Sequence, residues 1–312
     1  MCTTDFVQSR TNNEKMFEEY AELYNIVNSY DNPDHIDLSG EFFQSAYSNP
    51  TLDLNQDVVL VRSSSGDLIG TGIAQHQSIS SNDTRVLIQV HPEHRRQGIG
   101  TNILKHFLKN QMNQSNKQIH CRIFSFRPYS IVFALNHGFK HTHTWIKMSI
   151  QNHSRTQPTH MSWNLKVRAL NVKTELDLWV DLQNRIFAYS PMYENITIES
   201  LKNMLKSTAF DPNLILVAEV GDNPIGICMG WSLKSKDRSE NKKILQIQGM
   251  GIIPGYRREG YASTLLLELM NRGYIKGHSV SELLVLSTSK AGIRLYEKIG
   301  FTEKYRHLWH SR

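Results

Sequence analysis

Short stretches in which apolar and polar residues alternate give way along this chain to stretches with apolar residues three and four apart, and the succession occurs twice. In the second half, Trp163–Val172 alternates as a half-buried strand does, and Thr174–Tyr189 carries a helical pattern opened by a capping threonine. Thr197–Lys206 predicts a further helix, begun by a threonine with a glutamate close behind. Leu214–Val220 and Ile225–Leu233 are apolar runs on either side of Gly221-Asp222-Asn223-Pro224, the composition of a hairpin turn. Ile244–Ile253 predicts a strand, and Tyr261–Ile275 a helix with Leu265, Leu266, Leu269 and Met270 on its apolar face. A buried strand at Leu283–Leu286, a short helix at Gly292–Ile299 and a last strand from Phe301 complete this half. The first half runs in the same order, with strands at Val58–Arg62, Leu68–Ala74 and Val86–Val90, a helix at Ile99–Gln111, a strand at Ile119–Phe124 and a short helix ending at Gly138. The predicted fold class is α/β, of the α+β kind with a mixed sheet.

The parallel reaches individual residues. Val90-His91-Pro92-Glu93-His94-Arg95-Arg96-Gln97-Gly98-Ile99-Gly100 aligns without a gap on Ile252-Ile253-Pro254-Gly255-Tyr256-Arg257-Arg258-Glu259-Gly260-Tyr261-Ala262, an offset of 162. Gly138-Phe139 and Gly300-Phe301 stand at the same offset. Two matches with equal spacing in each half predict two copies of one domain. The polar stretch Gln151-Asn152-His153-Ser154-Arg155-Thr156-Gln157-Pro158 has linker composition, so the domains are expected at 1–152 and 160–312.

Composition narrows the class. With 312 residues, 39% hydrophobic and 21% charged, the chain is globular rather than disordered. It has no apolar run long enough for a membrane span, and its first twenty residues lack the order of a secretory signal. Cys2, Cys121 and Cys228 are too scattered for a disulfide framework. The expectation is a soluble cytoplasmic protein with neither membrane nor nucleic acid as partner. The net charge of +6 is uneven: residues 1–156 hold 14 basic and 14 acidic side chains, and residues 157–312 hold 21 and 15. A basic second half suits an anionic partner.

The aligned loops supply a place for one. Arg257–Ala262 leaves a strand and enters a helix, so backbone N–H groups point outward at the positive end of the helix dipole. Gly260 removes bulk where a phosphate would approach, Ala262 stays small, and Arg257 and Arg258 add charge. Arg95–Gly100 has the same parts. These loops resemble the pyrophosphate loop of the GNAT superfamily of acyl-CoA-dependent N-acyltransferases, Gln/Arg-x-x-Gly-x-Gly/Ala after a Val-x-Pro strand end. Leu295-Tyr296-Glu297-Lys298-Ile299-Gly300-Phe301 is similar to the helix end that completes that family's pattern.

The resemblance covers both halves and implies a tandem protein. It implies that Arg95, Arg96, Gln97, Gly98, Ile99 and Gly100 after Val90, and Arg257, Arg258, Glu259, Gly260, Tyr261 and Ala262, hold the diphosphate of acetyl-CoA. It implies that the central strand parts from its neighbour, and that the pantetheine arm pairs with backbone around Met250, Gly251 and Ile252. Gly249 and Gly251 suit a strand that bulges there. It also makes Tyr296 the acid that protonates the departing thiolate. The matching residue of the first half is Ala134, which has no proton to give, so the second half is the expected catalytic domain and the first a degenerate copy.

Many relatives place a glutamate eight residues before the motif proline. Here that position is Gln246, followed by Gln248, and neither takes a proton. An alkylamine lies about 3 pH units above neutral in pKa, so its deprotonation costs about 4–5 kcal/mol. Glu194, Asp237, Glu240 and water chains stay open as bases, as does an acceptor amine of low pKa. The fold implied by the resemblance lines its acceptor pocket with the loop Ala188–Asn195, where Tyr189, Tyr193 and Glu194 hold a cationic amine or simply pack. Trp231 and Cys228 are expected in the core. His91, His94, His141 and His143 supply no metal constellation. The expected activity is acetyl transfer from acetyl-CoA to a small-molecule or peptide amine by direct attack in a ternary complex. The alternative is a non-catalytic CoA-binding regulatory or scaffolding protein.

Overall fold

In the computed structural model of the chain, the described residues are 13–32, 35, 37–47, 52–54, 56–76, 83–111, 118–152, 164–190, 193–207, 209–234 and 243–312. Cys2, most of the expected linker, Trp163, Asp237 and Glu240 lie outside them. The chain divides into two units, one built from Met1–Thr144 with Tyr305–Arg312 and the other from Trp145–Lys304.

The first unit contains β1 (Val58–Arg62), β2 (Leu68–His76), β3 (Thr84–Val90) and β4 (Ile119–Phe124), with the sheet completed by β11 (Thr302–Ser311). β1, β2 and β3 run antiparallel, while β3 and β4 are parallel but pair only at Thr84↔Ile119 and Arg85↔His120. The helix α3 (Ile99–Gln111) packs Ile99, Ile103, Leu104 and Phe107 on one face. Gly72 lets it come close, because a Cβ there would stand 2.3 Å from Ile103 and 2.7 Å from Phe107. On the other face lie α1 (Asn13–Asp31) and α2 (Gly40–Ala46), whose Met16, Phe17, Tyr20, Ala21 and Phe43 cluster with Leu60 and Ile73. The helix α4 (Pro128–Asn136) follows β4.

The second unit has sheet order β5-β10-β9-β8-β7-β6. Its strands are β5 (Lys140–Gln151, from Trp145 on), β6 (Leu165–Ala169), β7 (Ile215–Val220), β8 (Asn223–Lys234), β9 (Lys243–Ile252) and β10 (His278–Leu286). The helices are α5 (Leu176–Phe187), α6 (Ile198–Met204), α7 (Tyr261–Ile275) and α8 (Lys290–Ile299). Leu265, Leu266 and Leu269 of α7 are fully buried, as are Trp179 and Leu182 of α5 to within 1%. Thr197 caps α6 in a capping box with Ser200. Thr174 does not cap α5. That helix starts two residues later, and Glu175 binds the Asn171 N–H and the Arg168 guanidinium instead.

The boundary expected at 152–160 is corrected by strand pairing. Trp145–Gln151 hydrogen-bonds along β10, from Leu286↔Trp145 to Val280↔Gln151, and so belongs to the second unit. The C-terminal strand pairs with β4, from His307↔Phe124 to Ser311↔His120, and so belongs to the first. An edge strand leaves a row of unpaired N–H and C=O groups, and here each unit satisfies that row with a strand from the other half of the sequence. Ending the chain after Lys304 is therefore expected to lower amide-exchange protection at His120–Phe124 by about tenfold or more, with β9 unaffected. Hydrogen exchange read strand by strand checks this, and protection that persists in β4 would refute it.

Candidate active site

The two loops fold alike to the residue. Pro92–His94 and Pro254–Tyr256 each form a single 3-10 turn. Arg96 (φ 65°) and Gly98 (φ 83°) are left-handed in the first loop, and Arg258 (φ 73°) and Gly260 (φ 81°) in the second. Left-handed backbone costs an L-residue roughly 1–2 kcal/mol, so an arginine held there twice at the same offset marks a loop shaped for what it presents. Gly260 is the N-cap of α7 and supplies no side-chain cap, which leaves the first helical N–H groups for another acceptor.

The leading arginines do something other than extend charge toward an anion. Arg257 donates from Nε to the Ile252 carbonyl (2.8 Å) and from Nη2 to the Ile186 carbonyl (3.1 Å). Arg95 donates from Nε to the Val90 carbonyl (3.3 Å) and forms a two-point pair with Asp31 at 3.2 and 3.3 Å. Both guanidiniums bind the end of the strand before them and so fix the loop. Arg258, Glu259, Arg96 and Gln97 are exposed, and Tyr261 is buried with its hydroxyl on Asn164 (3.2 Å).

Behind each loop two parallel strands part. β9 and β10 stay paired only as far as Leu283↔Ile247, so Gln248–Ile252 has no partner on that side. Gly249 (φ 55°) bulges, and the pairing with β8 skips from Ile227↔Gly251 to Met229↔Gln248. The phenol of Tyr296, on α8, sits at this opening with its hydroxyl 3.6 Å from the Met250 sulfur. Burial pushes its pKa well above the ordinary tyrosine range, with the nearby Cys228 adding to the shift. In the first unit β3 and β4 part after Arg85, and the opening is a cavity of about 810 Å³ lined by Val86–Val90, Cys121–Phe124, the loop and α4. Ala134, the counterpart of Tyr296, lines it.

Gln246 has an unforeseen neighbour. Its side-chain oxygen accepts from Lys147 Nζ (2.8 Å), and Lys147 pairs at 2.6 Å with Glu282 of β10. A carboxylate thus stands one strand over from the expected position. The signal for it was faint, since Lys147 reaches this unit only through the exchanged strand. Tyr193 gives its hydroxyl to Asn184 (2.8 Å) and packs on Phe187, while Tyr189 is 92% exposed and Glu194 exposed. Trp231 is buried opposite Gln246, and Cys228 is fully buried with its thiol pKa raised by desolvation. Among the described residues no cluster of three metal-ligating side chains occurs, and no helix is long and apolar enough to cross a membrane.

Comparison with known proteins matches residues 177–301 to the description "Acetyltransferase (GNAT) family" and residues 55–141 to "Acetyltransferase (GNAT) domain", together about two thirds of the chain. The chain belongs to the GNAT acetyltransferase family. A mycothiol acetyltransferase of Acidimicrobium ferrooxidans is 28% identical over 138 residues, 43% of each chain. One from Acidothermus cellulolyticus is 20% identical over 220 residues, 67% of this chain and 65% of that one. The matched part of the chain thus spans less than two thirds of either relative. The crystal structure of a GCN5-related N-acetyltransferase from Sphaerobacter thermophilus superposes with TM-score 0.79 at 21% identity, covering 96% of this chain and 93% of that one.

As a tandem GNAT protein the chain has a loop with a left-handed glycine before a helix in both units. This cradle fits a diphosphate. Gly260→Val is expected to cost about 1–2 kcal/mol of stability through its backbone alone. It is also expected to weaken CoA binding to the second unit by about tenfold or more through the added bulk. Thermal unfolding beside calorimetric titration of CoA reads both, and unchanged CoA affinity would remove the loop's role.

Proposed function

We propose that the chain is an acetyl-CoA-dependent N-acetyltransferase acting on a primary amine, with the reaction in the second unit. The observation that carries this reading is the Tyr296 hydroxyl 3.6 Å from Met250, at the mouth where β9 leaves β10. In the first unit the same position is alanine. The amine nitrogen attacks the thioester carbonyl directly, the C–S bond breaks, and the thiolate receives the Tyr296 proton. The raised pKa keeps that phenol protonated throughout the neutral range, so the donor is present before sulfur departs. Bulge and strand-end N–H groups at Gly249–Ile252 supply donors for the tetrahedral oxyanion. Cys228 does not form an acyl-enzyme in this scheme, because burial holds its thiol protonated.

Glu282 is the residue we assign to the proton lost by the amine. It faces the Gln246 position through their common partner Lys147. The alternative, a CoA-binding regulatory or scaffolding protein, is favoured by the carboxylate missing at Gln246 and by the open cavity of the first unit. In the leading reading the first unit holds CoA there without turnover.

Tyr296→Phe is expected to reduce turnover by about tenfold or more while leaving CoA affinity within about twofold. Thiol release from acetyl-CoA with a panel of amines checks this, and unchanged rates would end the acid assignment. Glu282→Gln is expected to lower kcat by about tenfold. An unchanged kcat in that variant would return the base to water or to Glu194. Absence of turnover with every amine, alongside two CoA equivalents bound, would favour the regulatory alternative.

A further inference from the structure

The cavity of the first unit reaches through the sheet. Along β3 and β4 successive side chains point to opposite faces. Val86, Ile88, Val90, Cys121 and Ile123 face α3 with its apolar cluster, and the cavity between them carries the loop at one end. Leu87, Gln89, Arg122 and Phe124 face the other way, toward α1, and the same cavity is lined by them and by Val27 of that helix.

Two groups on this far side lack what their chemistry requires. Arg122 is exposed to the cavity, yet surrounding protein desolvates it and lowers its pKa. No carboxylate among the described residues pairs with it. Its electrostatic neighbours are Tyr24, Tyr305 and Tyr47, and burial holds Tyr24 and Tyr47 above the ordinary phenol range, hence neutral. The guanidinium lies 5.5 Å from the Phe124 ring. Arg127 stacks on that ring at 5.4 Å, but its charge is met by Asp31 at 2.9 Å. Arg85, close enough to repel Arg122, is bonded to Gln75 and not to an acid. The second group is Gln89, 3% exposed, whose side-chain oxygen has no hydrogen-bond donor among the described residues. A buried acceptor without a donor is costly, and an exposed guanidinium without a carboxylate partner is open to one, so a single ligand could satisfy both.

We infer that the far end of the first unit's cavity binds a small N-acyl α-amino acid, its carboxylate on Arg122, its amide N–H on Gln89 and its apolar part between β3 and β4. A neutral amide fits better than a free ammonium, which would bring a further cation beside Arg122 and Arg85. The inference does not depend on which unit turns over, and it is tested without acetyl-CoA.

The probe is N-acetyl-L-leucine, titrated calorimetrically into the full chain. Binding is expected, with N-acetyl-L-leucinamide (no carboxylate) and 4-methylpentanoate (no N–H) each about tenfold weaker. Arg122→Gln should abolish the preference for acid over amide, and Arg122→Lys should keep part of it. Gln89→Leu should abolish the preference for N-acetyl-L-leucine over 4-methylpentanoate. Tyr296→Phe should leave all three affinities as they are. Equal binding of acid and amide, no binding of the acid, or a preference that survives Arg122→Gln would each overturn the assignment, the last by locating the ligand elsewhere.

Discussion

A parallel strand pair that stops pairing part-way is the constraint on which each unit is built. Backbone N–H and C=O groups cannot be left in a dry interior without partners, so strands that part must have the gap filled by side chains, water or a ligand. In both units the parting comes five residues before the strand ends, after Arg85 and after Ile247, which stand at the repeat offset of 162. Everything near the site follows from holding that gap open. A helix is docked at each strand end by a glycine-relieved loop, and an arginine ties the loop to the last carbonyl of the strand.

The two copies then diverge in what fills the gap. In the second, Gly249 bulges the strand, and the Tyr296 phenol stands beside Met250. In the first, β2 and β3 stay in register without a break from Gly70↔Val90 to His76↔Thr84, and Ala134 leaves the space open. A tyrosine takes far more volume than an alanine, so the two openings differ in lining at this position.

Much of this was legible in the chain because it is local. The helices Ile99–Gln111 and Tyr261–Ile275 and the strands Val58–Arg62 and Ile119–Phe124 have the bounds that periodicity gave them, and the left-handed glycines fall where the loops call for them. What the sequence left hidden is long-range. No periodicity states that Trp145–Gln151 pairs with β10 or that the C-terminus pairs with β4, since either strand is equally apolar in either sheet. The neighbourhood of Lys147 is hidden for that reason. The first helix, Asn13–Asp31, did carry a signal at Met16, Phe17, Tyr20, Ala21 and Val27, spaced for one apolar face, diluted by the charged residues between them.

The motif arginines make contacts other than the one their charge suggests. A guanidinium exposed beside a phosphate works through solvent-screened attraction, and exposed ion pairs contribute roughly 0–1 kcal/mol. A guanidinium that satisfies an orphaned strand-end carbonyl has a larger effect, since leaving that carbonyl buried and unpaired costs about 1–3 kcal/mol. Arg257 and Arg95 make this second kind of contact, each with the carbonyl five residues earlier. Their place in the motif is accounted for by the geometry of the loop they stabilise.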